Sequence, residues 1–263
     1  MTATLLPTVA YGDRSAPPLI LLRGLPSEPG RARGLDALTE RWIVGGPARS
    51  HRVHAVGRPT RLDRGATMAE IAGLYADVLR RRFGAPAAIM GVSTGASIAL
   101  QLATDHPDLV GSLVVAAGAA ALGTAGRGVQ RRYAHLLAHD EQAAASELAV
   151  ATMDSALLAP VVRLATRLLP GPADPAGLRV LVEAEDAYDV RDRLSRVAAP
   201  VLVVSGGRDV FYPLELATET VRRLPRATHV VYPHRSHAGV PLHPRFGRDV
   251  GDFLRAQVPD RRD

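Results

Sequence analysis

The sequence predicts a doubly wound, mainly parallel α/β sheet interrupted by one helical insertion. Two observations carry that expectation. Four short runs are apolar without alternation: LILL at 19–22, AAIM at 87–90, LVVAA at 113–117 and VLVV at 201–204. Continuous hydrophobicity over so few residues marks strands covered on both faces, as in parallel sheets flanked by helices. Between these runs lie helix-length segments. In the segment 68–83, Ile71, Leu74, Tyr75, Val78 and Leu79 recur at the spacing of one helical face. Strands that alternate with such helices give a doubly wound sheet.

Taken in chain order, LILL is the first buried strand and 52–56 a weaker second one. A helix at 68–83, the AAIM strand, a helix at 96–106 and the LVVAA strand follow. From 122 to 197 the rhythm changes. Helical stretches at 129–153 and 156–169, then Pro170-Gly171-Pro172 and a further helical run, contain no convincing buried strand. An insertion that the sheet does not need for closure tends to carry function. It is expected to form a cap over the C-terminal edge of the sheet, leaving 1–121 and 198–263 as the core. VLVV then resumes the sheet, followed by a helix at 213–224, a weaker strand at 228–232 and a last helix at 246–258.

The 263 residues are 47% apolar and 22% charged, which is ordinary globular composition with enough material for a sizeable core. There is no cysteine, so thiol nucleophiles, disulfides and thiolate zinc sites are excluded. The formal net charge is +6, and all 32 basic residues are arginine. They are scattered among carboxylates without interleaved aromatics, so no nucleic-acid partner is expected. No stretch reaches the length of a membrane span and no signal-peptide pattern is evident, so the expectation is a cytoplasmic protein without a membrane partner. His51 and His54 are three residues apart, which in a strand sends them to opposite faces, and no metal site is expected there.

The chemistry begins at GVSTG, residues 91–95. G-x-S-x-G alone is a weak pattern, and the bland reading is a tight packing corner with Ser93 as a helix cap. Here a buried strand precedes it and a helix rich in small residues follows. That context suits a nucleophile elbow, with Ser93 held on a strained turn and the Thr94 N–H aimed at a developing oxyanion. A serine hydroxyl needs a base. His237, in PHRSHAGV just beyond the last strand, is preferred over its neighbour His234, and His229 is read as part of the strand. The imidazole in turn needs a carboxylate, and Asp209 follows the VLVV strand in VLVVSGGRDVFYP. The corresponding turn after LVVAA has no acidic residue. In the loop after LILL, Gly24 can turn the Leu25 N–H towards the same oxyanion, whereas Pro26 has no N–H to offer. Arg131, Tyr133, His135, His139 and Glu141 could touch substrate but are read first as a solvated face of the insertion.

LILLRGLP, GVSTG, GGRDVFYP and PHRSHAG, in this order and at these strand ends, resemble the α/β-hydrolase superfamily across nearly the whole chain outside the insertion. The resemblance implies a Ser93-His237-Asp209 triad and a serine hydrolase of an ester, lactone or thioester of a mainly apolar small molecule, without metal or organic cofactor. The same residues also suit C–C bond hydrolysis, acyl transfer, or elimination or cyclisation. A non-catalytic small-ligand receptor is the alternative of another class. One departure is Arg23, where many relatives carry histidine. It is read first as half of a salt bridge and second as a substrate-binding residue for anionic or carbonyl-rich groups.

Overall fold

The computed structural model describes residues 6–25, 30–32, 34–59, 62–84, 86–153, 156–168 and 171–258. The described strands form a single sheet in the order β1 (Thr8–Tyr11), β3 (Arg52–Val56), β2 (Pro18–Leu22), β4 (Ala87–Val92), β5 (Val110–Ala116), β6 (Val201–Gly206) and β7 (Ala227–Tyr232). Only β1 runs antiparallel to its neighbour, and every other pair is parallel. This is the doubly wound architecture expected from the continuous apolar runs. β1 and the first helix, α1 (Gly34–Gly45), lie outside the expected elements. TVAY is short and only partly buried, and α1 buries only Glu40, Ile43 and Val44, so neither carries a full apolar signature.

Alternation along each strand explains why the runs are apolar throughout. Ile20 and Leu22 of β2, Ile89 of β4, Leu113 and Val115 of β5 and Val201 and Val203 of β6 face one core. Helices α2 (Met68–Phe83) and α3 (Thr94–Asp105) fill that side with Ile71, Tyr75, Ile98 and Leu102. The intervening residues Leu19, Leu21, Met90, Val114, Leu202 and Val204 face a second core, closed by α1 and by α9 (Phe246–Ala256) through Ile43, Phe246, Val250 and Leu254. With a period of two, burial on both faces makes consecutive positions apolar through the centre of each of these strands. A capping box starts α2: Thr67 accepts from Glu70 N–H while the Glu70 carboxylate accepts from Thr67 N–H.

Between β5 and β6 the chain forms α4 (Thr124–Leu136), α5 (Glu141–Thr152), α6 (Ala159–Thr166) and α7 (Pro175–Asp186). A third apolar cluster, with Leu122, Val129, Tyr133, Leu148, Leu178 and Val182, joins them to Phe211 and Tyr212 beyond β6. The helix expected over 129–153 is two helices. Asp140 breaks it, because its side chain accepts from Ala143 N–H and starts α5 instead of continuing α4. Tyr133, read from the sequence as part of a solvated face, is buried in the third cluster. Leu169 and Pro170 lie outside the described residues, and the helix expected at 156–169 is α6 preceded by a single turn of 3-10 helix. At the far end, Asp174 caps α7 and accepts from buried Arg58 at 2.9 Å, tying this layer to the strand edge beyond β3. Among the described residues, no helix is long and apolar enough to cross a membrane.

The remaining helix, α8 (Leu214–Arg223), follows β6 and packs against β6 and β7.

Candidate active site

Parallel strands deliver their C-terminal ends to one edge of the sheet, and the sequence motifs meet there. β4 runs into Ser93, which has φ 56° and ψ −127°, and α3 starts at the next residue. Positive φ at a residue with a Cβ is strained by about 1–3 kcal/mol and persists only where the surroundings enforce it. Two glycines enforce it here. A Cβ on Gly95 would strike the carbonyls of Leu22 and Arg23, and one on Gly24 would sit 2.8 Å from the Ser93 Cβ. With both as glycine, α3 and the loop after β2 close against the turn, and the Ser93 N–H bonds to the Ala116 carbonyl at 2.9 Å.

Ser93 Oγ lies 2.7 Å from His237 Nε2, and His237 Nδ1 lies 2.8 Å from Asp209 Oδ2. An ionised carboxylate only accepts, so Nδ1 carries the proton and Nε2 is left to accept from the serine hydroxyl. The other oxygen of Asp209 accepts from the backbone N–H groups of Phe211 at 2.8 Å and Tyr212 at 3.1 Å. Those bonds fix the carboxylate in its turn. Asp209 and His237 are only 5% and 6% exposed, so little water competes for the imidazole. The ring is further confined by Phe211 and by Tyr212, which stacks on it at 5.8 Å with 24° between the planes. Ser236 Oγ and the Ala238 N–H both donate to the Thr152 carbonyl, which ties the histidine loop to the end of α5.

His234, the local competitor, is exposed and does not line the cavity that contains His237. His229 bonds through Nε2 with Ser205 at 2.7 Å, on neighbouring strands. Burial lowers its affinity for a proton, as befits a neutral packed imidazole.

A cavity of about 340 Å³ opens over Ser93 and His237. Leu25, Val92, Leu148, Phe211, Pro241 and Leu242 give it an apolar wall, and both Leu25 and Thr94 border it. The Thr94 N–H belongs to the first turn of α3, where backbone donors have no partner within the helix. Pro26 lies outside the described residues.

Arg23 and Glu40 also border the cavity, and they are paired with each other. Arg23 Nε donates to one Glu40 oxygen at 2.5 Å and a second guanidinium nitrogen to the other at 3.1 Å, while a third donates to the Gly30 carbonyl at 2.7 Å. The side chains are 9% and 6% exposed. Tyr11 donates to the same carboxylate, and burial, followed by that bond, raises its hydroxyl pKa to about 12. This arrangement fits the salt-bridge reading of Arg23 and ties it to Gly30 and to α1. Arg23→Leu should therefore destabilise the protein by about 3–5 kcal/mol, since it leaves a buried carboxylate without its cation. A matched neutral and anionic ester pair should lose kcat/KM by the same factor, measured alongside thermal unfolding. A loss confined to the anionic ester, with Tm unchanged, would instead give Arg23 to substrate recognition.

Two groups at this site have no motif to announce them. Glu185, on α7, accepts from Thr94 Oγ1 at 2.8 Å and from Tyr212 OH at 2.7 Å. Burial, then the charge of Glu185, holds the Tyr212 hydroxyl well above the usual phenol range, so it stays a donor. Gln130 of α4 also borders the cavity and donates to Glu185. A faint signal exists in the sequence: Leu178, Leu181, Val182 and Glu185 share the spacing of one helical face, so a carboxylate sits where an apolar residue is expected.

Residues 57–240 match the family described as serine aminopeptidase, S33. A pimeloyl-[acyl-carrier protein] methyl ester esterase of Nitrosomonas europaea is 29% identical over 245 residues, covering 85% of this chain and 90% of that protein. Another, from Neisseria meningitidis serogroup B strain MC58, is 30% identical over 181 residues; the match spans 62% of this chain and 66% of the relative. In three dimensions the enol-lactonase of Burkholderia xenovorans LB400 superposes with a TM-score of 0.80 at 21% identity, covering 94% and 95% of the two chains. That likeness is one of fold. With a match across most of its length, on a sheet that places a serine at the strand-to-helix turn, the chain belongs to the serine aminopeptidase S33 family of α/β hydrolases.

Proposed function

We propose that the chain is a serine hydrolase of carboxylic esters with a compact, mainly apolar acyl group. The observation that carries this reading is the unbroken hydrogen-bonded series from Asp209 through His237 to Ser93, ending at a strained serine on the floor of an apolar cavity. In this reading His237 Nε2 takes the Ser93 proton as Oγ attacks the ester carbonyl. The tetrahedral oxygen is held by the N–H groups of Leu25 and Thr94, and Asp209 steadies the imidazolium. His237 then protonates the departing alcohol, so the C–O bond breaks and an acyl-serine remains. Water, deprotonated by the same nitrogen, releases the acid and restores the serine.

The wall chemistry supports the substrate class. Aliphatic and aromatic side chains surround the space, and among the described residues the one guanidinium lining it, that of Arg23, is paired with Glu40, so an acyl chain gains more here than an anion does. The relatives point the same way, since one is named for a methyl ester and one for an enol-lactone. We assign residues 122–197 as a cap on a core of 1–121 and 198–263, because α4 and α5 supply Gln130, Leu148 and Thr152 to the cavity. The partner is then a small-molecule ester.

The test is a panel of p-nitrophenyl esters of rising acyl length, combined with mass spectrometry of the intact protein after a fluorophosphonate probe. The expected result is one probe adduct on Ser93 and a preference for short to medium acyl chains. A protein that binds such esters without releasing acid, and takes up no probe, would be a receptor rather than a hydrolase.

A further inference from the structure

We propose that Glu185 is a positioning residue for the reaction, holding the oxyanion side and the base side of the site in one geometry through hydrogen bonds. The inference rests on the reading of Thr94 and His237 given above. Glu185 is fully buried, and no ion pair to it forms among the described residues. A carboxylate without a cation in such a place must be satisfied by donors. Thr94 Oγ1 and Gln130 Nε2 reach one oxygen at 2.8 and 2.6 Å, and Tyr212 OH reaches the other at 2.7 Å.

Each donor belongs to a different part of the site. Thr94 follows Ser93 and borders the cavity, and its side chain is held by Glu185. Tyr212 stacks on His237 and gives its own N–H to Asp209, so an anchor on its hydroxyl also restrains the acid turn and the ring. Ser97 Oγ, 2.8 Å from the same hydroxyl, extends the series into α3. Gln130 comes from α4, and its amide is oriented by the bond: a carboxylate only accepts, so Nε2 faces Glu185 and Oε1 faces away. One side chain of the insertion thus joins the elbow, the acid turn and the cavity wall.

The chemistry of the donors separates a role in positioning from simple packing. In Glu185→Gln the amide oxygen can stand where Thr94 and Gln130 donate. Its NH₂ then faces Tyr212, whose hydroxyl turns to accept from it and to donate to Ser97. Every hydrogen bond survives. In Glu185→Leu the volume is similar, but all three donors lose their acceptor.

The experiment measures kcat and KM on a p-nitrophenyl ester for both variants, each normalised to the fraction of Ser93 that takes up the fluorophosphonate probe. Glu185→Gln should stay within about threefold of the unaltered protein. Glu185→Leu should lose about 10- to 100-fold in kcat, the worth of one or two charge-assisted bonds, with KM within about threefold. If Glu185→Leu does not fold by circular dichroism, Thr94→Val replaces it, removing the hydroxyl while keeping the backbone N–H; it should lose about tenfold in kcat. An unchanged kcat per labelled site in the folded variant would reduce Glu185 to a packing element and overturn the proposal. Failure of the unaltered protein to hydrolyse esters or take up the probe is a separate outcome, which removes the serine-hydrolase reading and this inference with it.

Discussion

Ser93→Ala is expected to fold normally, take up no fluorophosphonate, and lose about 10³-fold or more in kcat/KM on any ester the unaltered protein accepts. The size of the loss follows from the way the parts act together. In the proposed mechanism, removing Oγ leaves His237 no proton to take, Asp209 no developing imidazolium to stabilise, and the N–H groups of Leu25 and Thr94 no tetrahedral oxygen to hold. What remains is binding in the cavity. The strained backbone gives a second, independent readout. Alanine keeps the Cβ that makes φ 56° unfavourable, whereas glycine adopts that region freely. Ser93→Gly should therefore be more stable than Ser93→Ala by about 1 kcal/mol in denaturant unfolding, although both are inactive. An active Ser93→Ala protein would exclude an acyl-serine and leave base-driven elimination as the chemistry. Equal stabilities of the alanine and glycine variants would show that the turn relaxes once the hydroxyl is gone.

The second large effect concerns His237, the proposed base. His237→Ala should match the serine variant, with a loss of about 10³-fold or more, because Ser93 Oγ then has no acceptor at 2.7 Å. His234→Ala should change kcat/KM by less than about tenfold, since that side chain is exposed and does not border the cavity. Circular dichroism and probe labelling separate loss of catalysis from loss of fold. Labelling should also slow sharply in His237→Ala, because the probe needs the same activated oxygen. A larger loss at His234 than at His237 would require the histidine loop to follow another path over the sheet edge.

The contrast between these two histidines shows how far local pattern reaches. Both lie in PHRSHAGV, and both are near the end of the last strand. The loop position and the glycine after His237 favour one of them in the sequence. Their different surroundings come from Phe211, Tyr212 and Thr152, which arrive from other parts of the chain. The same distinction separates the two readings of Arg23. A guanidinium beside the loop after β2 is visible in RGLP, but its partner Glu40 is 17 residues away on a helix with few buried residues.

The sequence by itself determined the parallel strands of the sheet, the elbow, the acid turn and the histidine loop, because each is written in neighbouring residues. Strands buried on both faces need continuous apolar runs, a strand that turns sharply into a helix needs glycines around its serine, and a carboxylate after a buried strand emerges at its C-terminal end. Only the tertiary structure decided the partners. β1 is a strand because β3 offers it an edge, not because TVAY has a strong pattern of its own. The expected helix over 129–153 divides because Asp140 finds a backbone donor to accept from. Glu185 meets Thr94 across 91 residues of chain, and nothing near either residue specifies that meeting. Hydrogen bonds and ion pairs at such separations depend on how whole layers pack, and the free energy that selects them is shared among side chains whose spacing in the sequence carries no period.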